Sequence, residues 1–324
     1  MTDHFTIVYF GPILGGFARR MDMLTEVLSA RFGVTRIHSF AALLRFLVSR
    51  RLRRAGTSVI FYSDLMWPLV ALLRCIRPAM RIFYMVRGDQ VAWSLHSGRR
   101  FRARMAEIFQ KLLGKLGCRF VFASDDLHEV FATRFGTIRC ASVLPNTVGE
   151  SLPPIRPFDG KVAVVGDFGT VKNIEHVLDS LEGGNFPVEL FGNSSLPEYR
   201  RRPWLKAHGQ VPDLTAALRS VSLVVLASVS EGFPNVLLDA LQAGCGVVVH
   251  NEFPFKNLPI NENWRFHLRT GAGKSLPEVL EELRAAKLDF RSNNKALIEL
   301  VESDWSRRVF ACLDAGGEQL QVAA

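Results

Sequence analysis

The stretch at residues 223–249 constrains the fold most, because a short apolar run leads there through a Gly- and Pro-marked turn into a helix and a second apolar run. The pattern predicts a buried strand from Leu223 to Leu226, a helix from about Pro234 to Gln242, and a second strand from Val247 to Val249. Such a helix points its free N–H groups at the strand ends, where open parallel sheets bind anionic ligands. Two carboxylates, Glu231 and Asp239, lie across the turn and the helix.

Strands and helices alternate along the rest of the chain, first up to about residue 148 and again from residue 161. Apolar runs predict strands at residues 6–10, 58–62, 81–86 and 119–123 in the first series, and at 161–165 and 187–191 in the second. This alternation is typical of α/β proteins with a parallel, doubly wound sheet. Residues 149–160 are rich in proline and lack periodicity, which favours a linker between the two series. We therefore predict two Rossmann-like domains that face each other across a cleft, at residues 1–150 and 151–305, and a closing helix at residues 306–324.

Charge also divides the chain. Residues 1–158 carry 23 Lys and Arg against 10 Asp and Glu, a net charge of +13, whereas residues 159–324 carry 17 against 21, a net charge of −4. The basic half is expected to meet an anionic surface or substrate. Two arginine clusters suit an anionic membrane surface, although a solvated helix face would look the same: Arg45, Arg50, Arg51, Arg53 and Arg54, and Arg99, Arg100, Arg102 and Arg104.

Other features of the sequence bound the function. No apolar run reaches the roughly 18–20 residues that a membrane span needs, and no signal-peptide pattern is present. The five cysteines show neither metal nor disulfide spacing, which is typical of reduced, mostly buried thiols. We expect a cytoplasmic protein that could lie peripherally on the inner face of the cytoplasmic membrane. We expect no nucleic-acid partner, because the sequence has no helix-turn-helix, zinc or aromatic stacking motif.

The opening stretch resembles the signature of the retaining family 4 glycosyltransferases, usually Ser-x-x-Glu-Gly-Phe-Pro-x-x-x-x-Glu-Ala-x-x-x-Gly-x-Pro-Val. The residues in register are Ser228, Glu231, Gly232, Phe233, Pro234, Ala240, Gly244 and Val247. Two positions depart, because Asp239 replaces the second glutamate and Gly246 replaces the usual proline.

The resemblance implies the GT-B fold and a retaining transferase of the hexosyl type that needs no metal ion or cofactor. Its donor would be a UDP- or GDP-sugar, and its acceptor a saccharide or a lipid-linked saccharide. Assembly of a bacterial surface polysaccharide or glycolipid would be its setting.

The same resemblance gives roles to residues of the motif. The first glutamate of the family lies against the donor sugar, which implies a catalytic position for Glu231. The second contacts the ribose hydroxyls, and Asp239 is one methylene shorter there. The helix start would donate backbone N–H groups to the diphosphate, at Phe233, Asn235, Val236 and Leu237. From its position alone, the preferred interpretation of Glu231 is a carboxylate that interacts with the helix N-terminus, and the resemblance reverses this preference.

Residues 166–173 match the diphosphate clamp of the family only in part. Lys172 falls in register, but Asp167 occupies the position of the usual arginine. Arg87 or Arg265 could supply the missing positive charge. The loss of that arginine leaves open a non-catalytic nucleotide-sugar binding protein of the same fold. A GT-B epimerase or phosphorylase is the other alternative.

Further candidates follow from the resemblance. Gly15 and Gly16 open the first helix and allow a close approach of the backbone to a ligand. Arg87 and Asp89 follow a strand where many members of the family carry a histidine near the reacting centre, although a strand-end salt bridge would use the same residues. Asn193 and Val211 fall where the family binds the nucleobase. The helix near residues 302–313 is implied to return to the N-terminal domain.

Overall fold

The computed structural model consists of two units, each built around one parallel β-sheet. The structure describes residues 4–9, 16–49, 56–136, 138, 141–148, 150–166, 171–192, 202–251, 256–268 and 273–314. Unit 1 comprises Met1–Pro145 and Ser306–Ala324, and unit 2 comprises Asn146–Trp305. Among the described residues, none of the helices has the length and apolar character needed to cross a membrane.

Unit 1 alternates strands and helices. Its strands are β1 (His4–Val8), β2 (Gly33–Ile37), β3 (Thr57–Phe61), β4 (Arg81–Val86), β5 (Arg119–Phe122) and β6 (Ala141–Val143). Its helices are α1 (Gly16–Ser29), α2 (Phe40–Val48), α3 (Trp67–Ile76), α4 (Gln90–His96), α5 (Arg100–Lys115) and α6 (Asp125–Phe135). A 3-10 turn (Asp64–Met66) precedes α3.

The sheet of unit 1 has the order β2-β1-β3-β4-β5-β6, and every pair in it is parallel. Strand β3 is buried along its whole length, as expected when helices cover both faces of a parallel sheet. The chain moves from β1 to one side and then returns to place β3 on the other side. The topological switch point of unit 1 therefore lies between the carboxyl ends of β1 and β3.

Unit 2 repeats this plan with a second sheet. Its strands are β7 (Val162–Val165), β8 (Val188–Phe191), β9 (Leu205–Gly209), β10 (Leu223–Leu226), β11 (Gly246–His250) and β12 (Arg265–Phe266). Its helices are α7 (Ile174–Leu181), α8 (Leu214–Ala217), α9 (Asn235–Gln242), α10 (Leu276–Ala286), α11 (Phe290–Asn293) and α12 (Lys295–Glu302). A last helix, α13 (Trp305–Asp314), falls mostly in unit 1.

The sheet of unit 2 has the order β12-β11-β10-β7-β8-β9, again with parallel pairs only. Its switch point lies between β7 and β10, because the chain adds β8 and β9 on one side before it places β10 on the other. Strands β10 and β11 are buried throughout. The two doubly wound parallel sheets confirm the predicted α/β class with two Rossmann-like domains.

Two segments near the unit boundaries have specific contacts. The ring of Phe310 in α13 lies 5.9 Å from that of Phe32, and the Arg31 guanidinium lies 4.1 Å from the Phe310 ring centroid. The proline-rich segment that the sequence suggests as a linker is instead packed on unit 2, where Leu152 and Phe158 are buried. These two apolar side chains, one on each side of the prolines, hold the segment in place.

Candidate functional site

The switch point of unit 2 brings together two loops that each follow a strand. The loop after β7 carries Lys172, and the loop after β10 carries Glu231. The Lys172 ammonium donates a hydrogen bond to Glu231 Oε1 and forms an ion pair with it. The two side chains are 33% and 19% exposed, so solvent still reaches the pair. A cation and a carboxylate therefore meet where open parallel sheets bind their ligands.

Hydrogen bonds between the two loops fix this pair in place. The Val229 N–H donates to the Val171 carbonyl at 2.9 Å. The Asn173 side-chain amide donates to the Ala227 carbonyl at 3.0 Å. Asn173 has a left-handed backbone, with φ of 52°, which asparagine adopts more readily than most residues. The local sequence Lys172-Asn173 thus presents the ammonium at the end of β7 and starts α7 directly behind it.

Helix α9 begins beside this pair, and Pro234 at its N-cap has no side-chain group that could cap it. The Leu237 N–H donates to the Pro234 carbonyl at 2.9 Å, so the helix itself already uses one of the four donors suggested by the sequence. Asn235 accepts a hydrogen bond at its side-chain oxygen from Asn146 at 2.8 Å. Asn146 is a contact that the sequence does not reveal, since it comes 89 residues earlier.

Asp239 lies one turn further along α9 and is 8% exposed. The Thr215 hydroxyl donates to its Oδ1 at 3.2 Å. Thr215 lies on α8, which packs against α9. A hydroxyl donor already holds the carboxylate, and a ribose hydroxyl would bind it with the same chemistry.

Other candidates of unit 2 occupy the same edge of its sheet or lie outside the described residues. Val211 follows β9, where Gly192 N–H donates to the Gly209 carbonyl at 3.1 Å and joins the ends of β8 and β9. Asn193 and Asp167 lie outside the described residues. The Arg265 guanidinium is held by the Ile260 and Leu258 carbonyls at 3.3 and 3.1 Å, which commits it to its own loop.

The candidates of unit 1 stand at the carboxyl ends of β1 and β4. Gly16 is the first residue of α1, and Gly15 lies outside the described residues. Arg87 follows β4 and is exposed. Asp89 is buried and caps α4, because its Oδ1 accepts from the Val91 and Ala92 N–H groups, both at 3.1 Å.

Asp89 also forms a two-pronged ion pair with the Arg134 guanidinium, at 2.7 and 2.6 Å. Both of its oxygens are therefore bonded within unit 1. Asp89 thus forms a strand-end salt bridge, which is the alternative that the sequence left open.

Asp64 is a half-buried carboxylate that the sequence did not single out as a site residue. It begins the 3-10 turn after β3, beside the switch point of unit 1. Burial raises its pKa above the usual range, against the opposing effects of the Leu65 N–H and the charge of Arg102. Its position directly after the predicted strand at residues 58–62 was the signal that could have identified it. In the part of the chain that the structure describes, no cluster of three His, Cys, Asp or Glu side chains could hold a metal ion.

Two Rossmann-like units, the second with a lysine and a helix start at its switch point, have the architecture of the GT-B fold. Residues 161–284 match the family model described as glycosyl transferases group 1. The matched residues, which lie in unit 2, carry the sequence pattern of this family, and the match supports a retaining, nucleotide-sugar-dependent glycosyltransferase. The fold class and the type of enzyme expected from the sequence are thus confirmed, and the expected family is matched over residues 161–284.

Solved structures similar to this chain share its fold at low sequence identity. HepE from Anabaena, in complex with UDP-glucose, has a TM-score of 0.70 and 14% identity, with 97% of this chain and 100% of that chain covered. Sucrose-phosphate synthase from Thermosynechococcus elongatus has a TM-score of 0.68 and 15% identity, covering 96% and 95%. The lipopolysaccharide outer core galactosyltransferase WaaB has a TM-score of 0.69 and 14% identity, covering 97% and 99%. No curated protein matches the sequence.

Proposed function

We propose that the chain transfers a hexosyl unit from a UDP- or GDP-sugar to a saccharide or lipid-linked acceptor, in the assembly of a bacterial surface polysaccharide or glycolipid. The ion pair between Lys172 and Glu231 carries this proposal, because a diphosphate and a sugar need a cation and a hydroxyl acceptor side by side. HepE was solved with UDP-glucose and WaaB is a lipopolysaccharide galactosyltransferase, which supports a UDP-sugar as the first donor to test.

In the proposed mechanism, unit 2 binds the donor. The Lys172 ammonium and the N–H groups of Phe233, Asn235 and Val236 receive the diphosphate, and this positive charge stabilises the leaving nucleotide as the sugar bond breaks. Because Lys172 is paired with Glu231, the diphosphate must compete with this carboxylate. Glu231 is then released to accept hydrogen bonds from sugar hydroxyls and to stabilise the positive charge that develops on the sugar ring. The acceptor hydroxyl oxygen bonds to the anomeric carbon as the bond to the phosphate oxygen breaks, and the hydroxyl proton leaves on the phosphate of the nucleotide.

The other proposed contacts complete the donor site. Asp239, held by Thr215, accepts from the ribose hydroxyls, and Val211 and Asn193 contact the base. Unit 1 binds the acceptor, while the backbone of Gly15 and Gly16 contacts the donor and Arg87 stabilises the phosphate charge of the departing nucleotide. Asp89 acts as a positioning residue that fixes the loop after Arg87, since α4 and Arg134 already use its oxygens. We place the enzyme in the cytoplasm, peripheral to the inner face of the cytoplasmic membrane.

Two variants test the ion pair with opposite expectations for nucleotide binding. Lys172→Ala should weaken UDP binding about 10- to 100-fold, because a charge-assisted hydrogen bond contributes about 1.5–3 kcal/mol. Glu231→Gln should keep or strengthen UDP binding, because it removes the competitor for Lys172, yet it should abolish sugar transfer. Calorimetric titration with UDP and a radiolabelled transfer assay measure the two effects.

Lys206→Ala is the matched control, because Lys206 is an exposed lysine of unit 2. Sugar transfer that survives both site variants would refute the assignment of the site. UDP binding by the unaltered protein without any transfer or hydrolysis would favour the non-catalytic alternative. Turnover of a nucleotide sugar without acceptor would favour an epimerase. EDTA should leave the rate of sugar transfer unchanged, because Lys172 and the start of α9 supply the positive charge that the diphosphate needs.

A further inference from the structure

The outer side of unit 1 carries large hydrophobic side chains that its core does not use. Phe40, Leu44 and Val48 of α2 are 68%, 49% and 85% exposed. They recur every four residues and form one stripe, while Leu43 and Phe46 on the other side of α2 are buried in the core. Helix α2 is therefore apolar on two sides, and the fold accounts for only one of them.

A second exposed apolar group stands at the start of α5. Phe101 is 80% exposed and is surrounded in sequence by four exposed arginines, Arg99, Arg100, Arg102 and Arg104. The guanidinium groups of Arg99 and Arg102 lie 5.6 and 5.3 Å from the Trp93 ring centroid, which holds them beside the apolar surface. Leu95 of α4 and Leu65 of the 3-10 turn, in elements that contact α5, are 53% and 61% exposed.

These residues belong to one side of unit 1. Helices α2, α3, α5 and α6 bury their inner residues in one continuous core cluster with alternate residues of the sheet, so they cover the same face of it. Their outer sides therefore form one surface. Phe40 and Phe101 lie in the first turns of α2 and α5, helices that run back from the carboxyl edge of the sheet. Arg87 and Gly16 stand at that edge.

We propose that unit 1 docks on an anionic lipid bilayer through this surface, which consists of Phe40, Leu44, Val48, Leu65, Leu95 and Phe101 with Arg99, Arg100, Arg102 and Arg104. The aromatic and aliphatic side chains enter the boundary between headgroups and acyl chains, and the guanidinium groups bind lipid phosphates. The density of like charge around Phe101 disfavours a second copy of the chain as the occupant. The inference extends the proposed function, because docking would bring a lipid-linked acceptor to the edge that carries Arg87.

Flotation with vesicles tests the docking directly. The full chain should float with vesicles of phosphatidylcholine and phosphatidylglycerol and remain unbound with phosphatidylcholine alone. Phe101→Ser should weaken binding about tenfold or more, the effect of exposing one buried aromatic side chain. Arg100→Gln combined with Arg104→Gln should weaken it by a further tenfold or more, since each arginine near the surface contributes about fivefold. Lys206→Gln in unit 2 is the control and should bind like the unaltered chain.

Binding that is absent with both vesicle types, or unchanged in Phe101→Ser, would overturn the proposal. Sedimentation velocity in the absence of lipid tests the alternative occupant, a second copy of the chain. A dimer in the unaltered chain that becomes a monomer in Phe101→Ser would show that the surface is a dimer interface and would also overturn the proposal. A measurement of UDP affinity tests the donor site independently of membrane docking, so that failure of one proposal can be told from failure of the other. Phe101→Ser should leave UDP affinity unchanged, and a failure of the ion-pair tests would leave the vesicle result standing.

Discussion

Replacing Gly246 by alanine should destabilise unit 2, although the same change often stabilises proteins elsewhere. A Cβ atom at Gly246 would lie 3.2 Å from Leu223 Cδ1, 3.2 Å from Trp264 Cζ3 and 3.3 Å from Phe290 Cδ2. All three neighbours are almost completely buried, so none can move without displacing its own neighbours. Overpacking of this kind costs about 1–3 kcal/mol, and the lower entropy of the unfolded alanine chain offsets about 0.4–1 kcal/mol. The net loss should be about 1–2 kcal/mol.

Proline, the residue that the family usually carries here, should be worse. The Gly246 N–H donates to the Ser222 carbonyl at 3.0 Å, and proline would remove this hydrogen bond, worth about 0.5–1.5 kcal/mol. Trp264 and Phe290 occupy the space that a larger residue would need. The departure from the family motif is thus explained by the packing of unit 2.

Urea unfolding followed by circular dichroism and tryptophan fluorescence measures the effect. Gly114→Ala is the matched control, because its added Cβ would meet only Phe120 Cε2 at 3.9 Å inside α5, and helix propensity should then stabilise unit 1 by up to about 1 kcal/mol. Combining Gly246→Ala with Phe290→Leu should cost less than the sum of the two changes, since the shorter side chain makes room. The reasoning is refuted if Gly246→Ala unfolds at the same or higher urea concentration than the unaltered chain.

Three further predictions concern stability and reactivity. Arg156→Met should lower the free energy of unfolding by about 2–4 kcal/mol in urea titrations, because the guanidinium holds the carbonyls of Arg219, Val221 and Ala243 at 2.6, 2.6 and 3.1 Å; an unchanged midpoint would contradict this. Iodoacetamide at pH 8 should alkylate the exposed Cys75 and spare Cys245, whose thiol pKa burial raises to about 11. Peptide mass mapping decides which cysteine reacts. The Leu152 N–H and Arg291 hold the pKa of Glu302 below its usual range, so its stabilisation is present above the usual glutamate pKa and is lost as the pH falls through the lowered value. Glu302→Gln should therefore flatten the acid limb of the stability–pH curve, and an unaltered limb would count against it.

The inner strands of both sheets could be predicted from the sequence, whereas the edge strands could not. The strands that it predicts correspond to β1, β3, β4, β5, β7, β8, β10 and β11, all of which have neighbours on both sides. The strands that it leaves out are β2, β6, β9 and β12, the four edges of the two sheets. Edge strands carry exposed residues, as Lys206 and Ala207 in β9 illustrate, so they lack the continuous apolar run that marks a buried strand.

The motif residues of the site could be found from the sequence because the motif is local, but their partners could not. Lys172 and Glu231 are 59 residues apart, and Asn146 and Asn235 are 89 apart. Only the winding of the sheet brings such loops together. The same limit applies to Asp89, because its partner Arg134 comes 45 residues later, on α6. The strand-end position of Asp89 shows that it can bind something but leaves open whether the partner is a side chain or a substrate.

The positions of the charges distinguish binding of the diphosphate from docking on an anionic membrane, which net charge alone does not distinguish. The basic half of the chain was expected to meet an anionic partner, yet the proposed binding site for the anionic diphosphate lies in the half with a net charge of −4. There, one lysine and the start of α9 act locally, at a few ångströms, where the total charge of the unit matters little. The arginines of unit 1 stand instead on the outer side of α5, exposed beside Phe101. Such an arrangement suits attraction to an extended anionic surface better than recognition of one small ligand.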